Sequence, residues 1–220
     1  IGNGAFTGCS NLSTINLPEG LTEIVNSAFR SCGSLTDIVL PDTLKTIGSY
    51  AFQNCVSISG TLNIPASVES IGTAALIVLG LEEFTVDADS QHFTAFEGIL
   101  YSKDMKRLIV CPTEKVCIDF VMPNTVEIVE ESAFRVCNGL SGTLTLSSNL
   151  TTIKAAAFYF AQRLSGTLTI PASVTTIEGN VFSHSGFSEI VVAEGNTVYK
   201  SQDGVLYNAA MTSLVQYPRG

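Results

Sequence analysis

Ile1-Gly2-Asn3-Gly4-Ala5-Phe6-Thr7-Gly8-Cys9, followed by Leu12, Ile15, Leu17 and Pro18, is a unit that the chain begins again at Ile24, Ile47 and Ile71 and, further on, at Val129, Ile153 and Ile177. Ala133-Phe134, Ala157-Phe158 and Val181-Phe182 fill the slot that Ala5-Phe6 occupy in the first copy. Neighbouring copies are spaced 23 or 24 residues apart. A coil of that length cannot close its own core, so its Leu, Ile and Phe side chains must be buried against those of adjacent coils. The pattern therefore predicts an extended solenoid.

A slower period lies over the first. Residues 71–112 map onto 177–218, with Gly80/Gly186, Val86/Val192, Leu100-Tyr101/Leu206-Tyr207 and Pro112/Pro218 identical. One irregular insert, at about 87–117 and again at about 193–220, is thus used twice. The register of the coils predicts a single array over residues 1–220. Because the chain opens in mid pattern and neither end reads as a polar capping repeat, it is expected to be a fragment of a longer protein.

In the L-x-x-I-x-L run of each coil, alternate side chains point into the core and out to one face, as in the strand of a leucine-rich repeat. Ile15 and Leu17 are assigned inward, Thr14 and Asn16 outward. Pro18, Pro41, Pro65, Pro123 and Pro171 lack the N–H that would continue a ladder and end the runs in turns. The expectation is a mainly β leucine-rich repeat solenoid. It has a parallel concave sheet of about eight short strands, at residues 14–17, 37–40, 61–64, 83–86, 119–122, 143–146, 167–170 and 189–192. The A-F-x-x-C stretch suits one turn of 3₁₀ or α structure with Phe buried. In the inserts, Gly98-Ile99-Leu100-Tyr101 with Leu108-Ile109-Val110, echoed by Gly204-Val205-Leu206-Tyr207 with Leu214-Val215, reads as a hairpin. Spacing alone leaves open whether the second run joins the concave sheet.

Composition narrows the function. A hydrophobic share of 45% against 14% charged residues argues for a full core. The net charge of -9, with no cluster of Lys or Arg, removes the electrostatic footprint that nucleic acid or an anionic membrane surface requires. The longest apolar run, Ala74–Leu79, is far too short to span a bilayer, so direct membrane insertion of this segment is not expected. Cys9, Cys32, Cys55 and Cys137 recur at one buried packing slot and read as stacked thiols, whereas a bridge between Cys111 and Cys117 stays open. With no C-x-x-C and only His92 and His184, no metal or other cofactor is expected. Asp87-Ala88-Asp89-Ser90 alternates carboxylates but lacks the closing Glu of a calcium loop. No nucleophile and base, and no paired carboxylates in a cleft, can be identified, and the chain is read as no enzyme.

The I-G-x-x-A-F-x-x-C unit, with Pro18, Pro41, Pro65 and Pro171 closing the strand, and Asp203-Gly204-Val205-Leu206-Tyr207 leading to Tyr217-Pro218, resembles the BspA-type leucine-rich repeat family over the whole chain. Two copies depart from its pattern. Ala75-Leu76 and Leu79 replace the A-F pair and the cysteine, and Ser147-Ser148-Asn149 stands where Leu-Pro is expected. The resemblance implies an extracellular or cell-surface protein of mucosal bacteria or protozoa, with roles in adhesion and host-protein binding, and it brings no catalytic residues.

The outward strand positions form a smooth, Thr-rich, mildly acidic face. Its candidate binding residues are Thr14, Asn16, Asp37, Thr61, Asn63, Glu83, Thr85, Asp119, Thr143, Thr145, Thr167, Thr169 and Glu189; Val39, Val121 and Val191 are further outward positions of the same runs. Thr is also a favourable exposed strand residue whether or not anything binds there. Phe93, Tyr101, Arg107, Tyr199 and Tyr207 are the candidates in the inserts, where aromatic packing onto the solenoid is the competing explanation. The reading that follows is a non-catalytic, monomeric protein-binding module whose partner is a protein, such as a host extracellular-matrix or mucosal one. The alternatives are a stiff spacer displaying another domain and, more weakly, a glycan-binding module.

Overall fold

The computed structural model describes residues 1–218; Arg219 and Gly220, assigned above to the second insert, lie outside the described residues. The chain forms two compact units, Ile1–Met105 with Ile109–Lys115, and Lys106–Leu108 with Val116–Gly220. Both are built from the same β-solenoid coil, and no helix occurs among the described residues.

In unit 1 the coil starts form a parallel ladder of two-residue strands, β1 (Glu23–Ile24), β2 (Thr46–Ile47) and β4 (Ser70–Ile71), with Ile24, Ile47 and Ile71 in register. The longer β3 (Ser59–Ile64) pairs in parallel with β5 (Gly80–Val86), so that Thr61 faces Glu83 and Asn63 faces Thr85. The first insert supplies the antiparallel hairpin β6 (Phe93–Phe96) and β7 (Ile99–Ser102). Strand β8 (Arg107–Val110) follows.

Unit 2 repeats the plan. β10 (Ile128–Val129), β12 (Thr152–Ile153) and β14 (Thr176–Ile177) form its coil-start ladder, which Arg107 and Leu108 extend through pairing with Ile128 and Val129. β9 (Cys117–Val121) pairs with β11 (Leu140–Thr145), and β13 (Thr167–Ile170) with β15 (Glu189–Val192), all in parallel. The second insert is the antiparallel meander β16 (Tyr199–Gln202), β17 (Val205–Asn208) and β18 (Leu214–Gln216).

Two local expectations change. Residues 14–17 and 37–40 are extended but form no strand ladder; the Thr36 N–H and hydroxyl both donate to the Ser13 carbonyl and join their approaches. Core burial of Ile38 and Leu40 is enough to enforce the in-out alternation, and that alternation does not itself require a paired backbone. The insert hairpins form as read, with β7 beside β8 and β17 antiparallel to β18, and each gains a strand in front of it through the turns Glu97-Gly98 and Asp203-Gly204, both residues of each pair having positive φ as a type I′ turn demands. The question left open for Leu108 is answered by its pairing with the coil start Val129.

The second change concerns A-F-x-x-C. In place of a helical turn, the backbone runs through consecutive reverse turns whose amides alternate in their use. Ala28, Arg30 and Cys32 donate three residues back, to Val25, Ser27 and Phe29, while Ser27, Phe29 and Ser31 donate to Ser49, Ala51 and Gln53 of the next coil. An α-helix would turn all these donors inward and leave the coils unjoined. The geometry places Ser27 (φ 56°), Ser31 (φ 61°), Tyr50 (φ 59°) and Asn54 (φ 62°) in the left-handed region, and in unit 2 Ser132, Val136, Ala156 and Phe160 likewise. Each such non-glycine residue costs on the order of 1 kcal/mol, offset by the inter-coil bonds it permits.

Phe side chains stack beneath these turns. Phe6, Phe29 and Phe52 lie 5.1 Å apart centre to centre in unit 1, and Phe134, Phe158 and Phe182 at 4.8 and 5.6 Å in unit 2. The cysteine slot lies beside them: the Cys32 thiol donates to the Phe6 carbonyl and Cys55 to Phe29, each at 3.0 Å. Burial pushes the Cys32 thiol up and Cys55 up to about 12. Since the thiolate is the nucleophile, iodoacetamide at pH 8 is expected to label the exposed Cys9 first and Cys55 only on unfolding. Peptide mass spectrometry of the folded chain checks this; equal labelling of Cys9 and Cys55 would contradict the buried column. Cys111 is buried with its thiol 3.6 Å from the Pro112 carbonyl, and the Cys117 thiol lies 3.9 Å from that of Ile118.

Candidate functional site: the outward strand face

The alternation of each L-x-x-I-x-L run delivers its polar residues to one face, and inter-coil pairing then orders them. In unit 1 the Thr61 hydroxyl donates to the Glu83 carboxylate at 2.9 Å, and the Thr85 hydroxyl to the Asn63 amide oxygen at 2.9 Å. The Asn63 amide donates to Asp87 at 2.8 Å, and Asp87 also accepts the Ala66 N–H. Asp87, considered above for calcium, therefore caps the turn after β3. Thr14, Asn16 and Asp37 are also exposed, and with Ile15, Leu17, Glu19, Val39 and Pro41 they line an open cleft of about 200 Å³.

In unit 2 the Thr143 hydroxyl donates to Asp119 at 2.9 Å and the Thr167 hydroxyl to Glu189 at 3.1 Å. Thr145 and Thr169 are exposed on the same face. Thr–carboxylate pairing across adjacent coils thus recurs in both units. It holds the side chains in fixed rotamers, although at exposed sites each bond contributes only about 1 kcal/mol.

Asp119 is the most constrained of these groups. It sits at φ 56°, and its carboxylate accepts both the Thr143 N–H (2.8 Å) and hydroxyl. The backbone bond first, and the hydroxyl second, hold its pKa below the ordinary 3.8. A carboxylate depressed by folding contributes stability that is present above its unfolded pKa and lost as pH falls through the folded value. The Asp119→Asn variant, which tolerates the same φ, is expected to be less stable than the parent at pH 7, the gap closing as pH drops below about 4. Thermal melts of both chains across pH 2–7 measure it, and a gap that persists at low pH would show that the carboxylate charge is not what matters.

The insert hairpins reach back onto this face. The Phe84 N–H donates to the Gly98 carbonyl and the Ile190 N–H to Gly204, each from the strand of the hairpin's own coil. A Cβ at Gly98 would come within 2.8 Å of the Glu83 Cβ, and one at Gly204 within 2.6 Å of the Glu189 Cγ, so the turn tips lie directly against those two side chains. Sequence periodicity carries no sign of this contact, since it joins a turn to a strand outside the repeat.

Of the insert candidates, Phe93, Tyr101 and Tyr199 are corrected: all three are buried, Tyr101 completely and with its hydroxyl unpartnered, so they pack the hairpins down and offer no surface. Tyr199 instead accepts the Ile177 N–H through its hydroxyl at 2.8 Å. Tyr207 is half-buried, and the exposed Arg107 guanidinium pairs with Glu130, which Lys154 also reaches at 2.7 Å. The exposed insert aromatics are Phe96, at 46%, and Tyr217, at 67%.

Two features escaped sequence reading. An open cavity of about 440 Å³ in the second insert is lined by Glu194, Asn196, Lys200, Ser201 and Met211 among others. On the turn side of unit 2, Phe160 stacks on His184 at 4.4 Å beside Tyr159, whose ring lies under the Arg135 guanidinium at 4.8 Å. The signal for the second was the 24-residue spacing that puts Arg135 and Tyr159 at one repeat position and Phe160 and His184 at the next. Among the described residues no helix is long and apolar enough to cross a membrane.

A family model described as BspA type leucine rich repeat region, in six copies, matches residues 1–99 and 114–218. No curated protein matches the sequence. Among solved structures, the pneumococcal vaccine antigen PcpA superposes with a TM-score of 0.70 at 22% identity, covering 84% of this chain and 52% of its own. A leucine rich cell surface protein from Faecalibacterium prausnitzii A2-165 gives a TM-score of 0.66 at 26% identity, covering 86% of this chain and 62% of its own. A leucine-rich repeat protein from Bacteroides ovatus gives 0.56 at 25%, covering 90% and 47%. The chain thus spans about half to three fifths of the length of these structures.

Proposed function

Because this chain belongs to the BspA-type leucine-rich repeat family, we propose that it is a non-catalytic protein-binding module of a secreted or cell-surface protein, and that the outward strand face of its units carries the contact. The observation that supports this most is the character of the face. Its polar side chains are pre-ordered by Thr–carboxylate and Thr–Asn pairs, while Val39 (74% exposed) and Val121 (66% exposed) stand out of it as apolar contacts. Pre-ordered side chains lose little entropy on binding. The similar Faecalibacterium protein is a cell surface protein, which is consistent with display outside the cell. The partner class is a host extracellular-matrix or mucosal protein, and the working species is a monomer.

The test is a pull-down from mucosal and extracellular-matrix extract, comparing the chain with a variant carrying Thr61, Thr143, Thr145, Thr167 and Thr169 changed to Lys. All five are exposed, so the variant is expected to stay folded, as circular dichroism will check. A protein held by the parent and lost by the variant is the expected result. A partner held equally by both would move the contact off this face, and retention of nothing would favour the spacer.

A further inference from the structure

The turn side of unit 2 carries a cluster of rings and one cation that the coil itself does not require. Arg135 and Tyr159 occupy one coil position, Phe160 and His184 the next. In unit 1 the first of these positions holds Arg30, Gln53 and Ile77 and the second Ser31, Asn54 and Val78, so the coils stack there without aromatic side chains. Phe160 (φ 59°) and His184 (φ 61°) also sit in the left-handed region, which a bulky side chain tolerates less well than Asn does. Their rings are nonetheless stacked at 4.4 Å, with 8° between their planes. Tyr159 stands across them at 57° and 65°, and the Arg135 guanidinium lies over the Tyr159 ring at 4.8 Å. Arg135, Tyr159 and Phe160 are half-buried and His184 is exposed, so the cluster is both held in place and open to solvent.

The bonding capacity left over in this cluster indicates what would fit. Among the described residues the Arg135 guanidinium meets no carboxylate and no hydrogen-bond acceptor, and the Tyr159 hydroxyl has no partner. The chain holds 20 Asp and Glu against 11 Lys and Arg, so the isolation of Arg135 does not come from a shortage of carboxylates. A guanidinium held over a ring keeps N–H groups free for the two oxygens of a carboxylate. The backbone has little to add. Ser132, Phe134 and Val136 give their amides to Ala155, Ala157 and Tyr159, and Ala156, Phe158 and Phe160 give theirs to Gly179, Val181 and Ser183, so a peptide strand would find no ladder here. The net charge of -9 disfavours a polyanion, whereas one guanidinium matches one negative charge. We propose that Arg135, Tyr159, Phe160 and His184 form a binding site for a sugar unit that carries a single carboxylate, such as a hexuronic acid. Its carboxylate pairs with Arg135, a ring hydroxyl with the Tyr159 hydroxyl, and its apolar C–H face packs on the aromatic rings. Aromatic surface with a few placed polar groups is the usual make-up of a small-ligand site. The site lies on the turn side of the coils and is independent of the strand face.

The probe is methyl β-glucuronide, titrated into the full chain and followed by carbon–proton NMR of the aromatic side chains. Three controls accompany it: methyl β-glucoside, which has a hydroxymethyl group in place of the carboxylate; acetate, which has the charge without the sugar; and N-acetyl-glutamate amide, which stands for an acidic protein segment. The expected result is that the resonances of Tyr159, Phe160 and His184 shift with the glucuronide, and that each control binds at least about tenfold more weakly. Arg135→Gln should weaken the glucuronide by a similar factor, and Arg135→Lys should not restore it, because Lys lacks the bidentate fork. Arg30→Gln should leave binding unchanged, since Arg30 lies over Tyr50 at 5.8 Å without a Phe–His stack beside it. The Arg135 side chain makes no hydrogen bond that holds the coils together, so the variants are expected to fold; the ligand comparison stands on the parent protein in any case. Equal binding of the glucoside, equal shifts with acetate, tighter binding of the glutamate compound, shifts confined to other residues, or no shift at these rings would each overturn the proposal. The Thr-to-Lys variant tests the strand face alone, so either reading can fail while the other stands.

Discussion

Phe29→Ala is expected to lower the stability of unit 1 by about 4 kcal/mol, and Phe158→Ala that of unit 2 by a similar amount. Both rings are fully buried, and each is stacked on both sides by the Phe of adjacent coils. Removing one leaves a cavity the neighbours cannot fill without leaving their own stacks, and forfeits two ring contacts of roughly 0.5–1.5 kcal/mol apiece. Phe6 is half-buried and stacks on one neighbour, so Phe6→Ala should cost about half as much. In a solenoid, stability is summed over nearest-neighbour contacts, so each loss should appear as an earlier transition for the coils around the substitution. Urea unfolding followed by circular dichroism measures this; a shift worth less than about 1 kcal/mol at Phe29 would mean that the stacks are not the core of the coil.

Gly80→Ala and Gly186→Ala come next, each expected to cost about 3 kcal/mol. The two glycines are the pair that the 106-residue offset identifies, and the structure supplies the reason for their identity. A Cβ at Gly80 would lie 2.7 Å from the Val56 carbonyl oxygen and 3.1 Å from that of Ile58; at Gly186 it would collide with the carbonyl oxygens of Leu164 and Gln162. These are backbone atoms of the preceding coil and cannot swing aside as a flexible side chain would. Gly33 is the control: nothing lies within 4 Å of its Cβ position, and Gly33→Ala should be neutral or slightly stabilising by restricting the unfolded chain. If Gly80→Ala melted like Gly33→Ala in the same urea series, close approach between coils at the insert would be disproved.

These two sets of residues also show how far the amino-acid order reaches. The Phe slot, the buried positions of Cys32, Cys55 and Cys137 and the in-out order of the strand residues are legible because burial repeats with the coil, and hydrophobic side chains record it; Cys9, read into the same buried slot, is exposed. Ile15, Ile38 and Leu62 all turn inward as read, and Thr14, Asp37 and Thr61 are all exposed. Which residues make up the outward face is therefore written in the order of the amino acids. The organisation of that face is not. The pairing of Thr61 with Glu83 and of Thr143 with Asp119 depends on inter-coil register, and the approach of the Gly98 and Gly204 turns to Glu83 and Glu189 depends on how a non-repeating insert folds back. Tyr101 and Tyr199 misled because an aromatic in an irregular segment can equally serve as anchor or as contact, and only packing distinguishes the two.

What the sequence determined by itself was the coil, its period, its apolar lining and which side chains face solvent. What the tertiary structure alone decided was which backbone segments bond to which. It placed the ladder at the two-residue coil starts and left 37–40 unpaired. It put Ser27, Ser31 and Tyr50 into left-handed conformations that their identities do not request. The physical reason is that a side chain's polarity encodes the direction it faces, whereas the peptide N–H and C=O are the same at nearly every residue. Their partners are settled only when stacked coils bring particular amides and carbonyls within hydrogen-bonding distance.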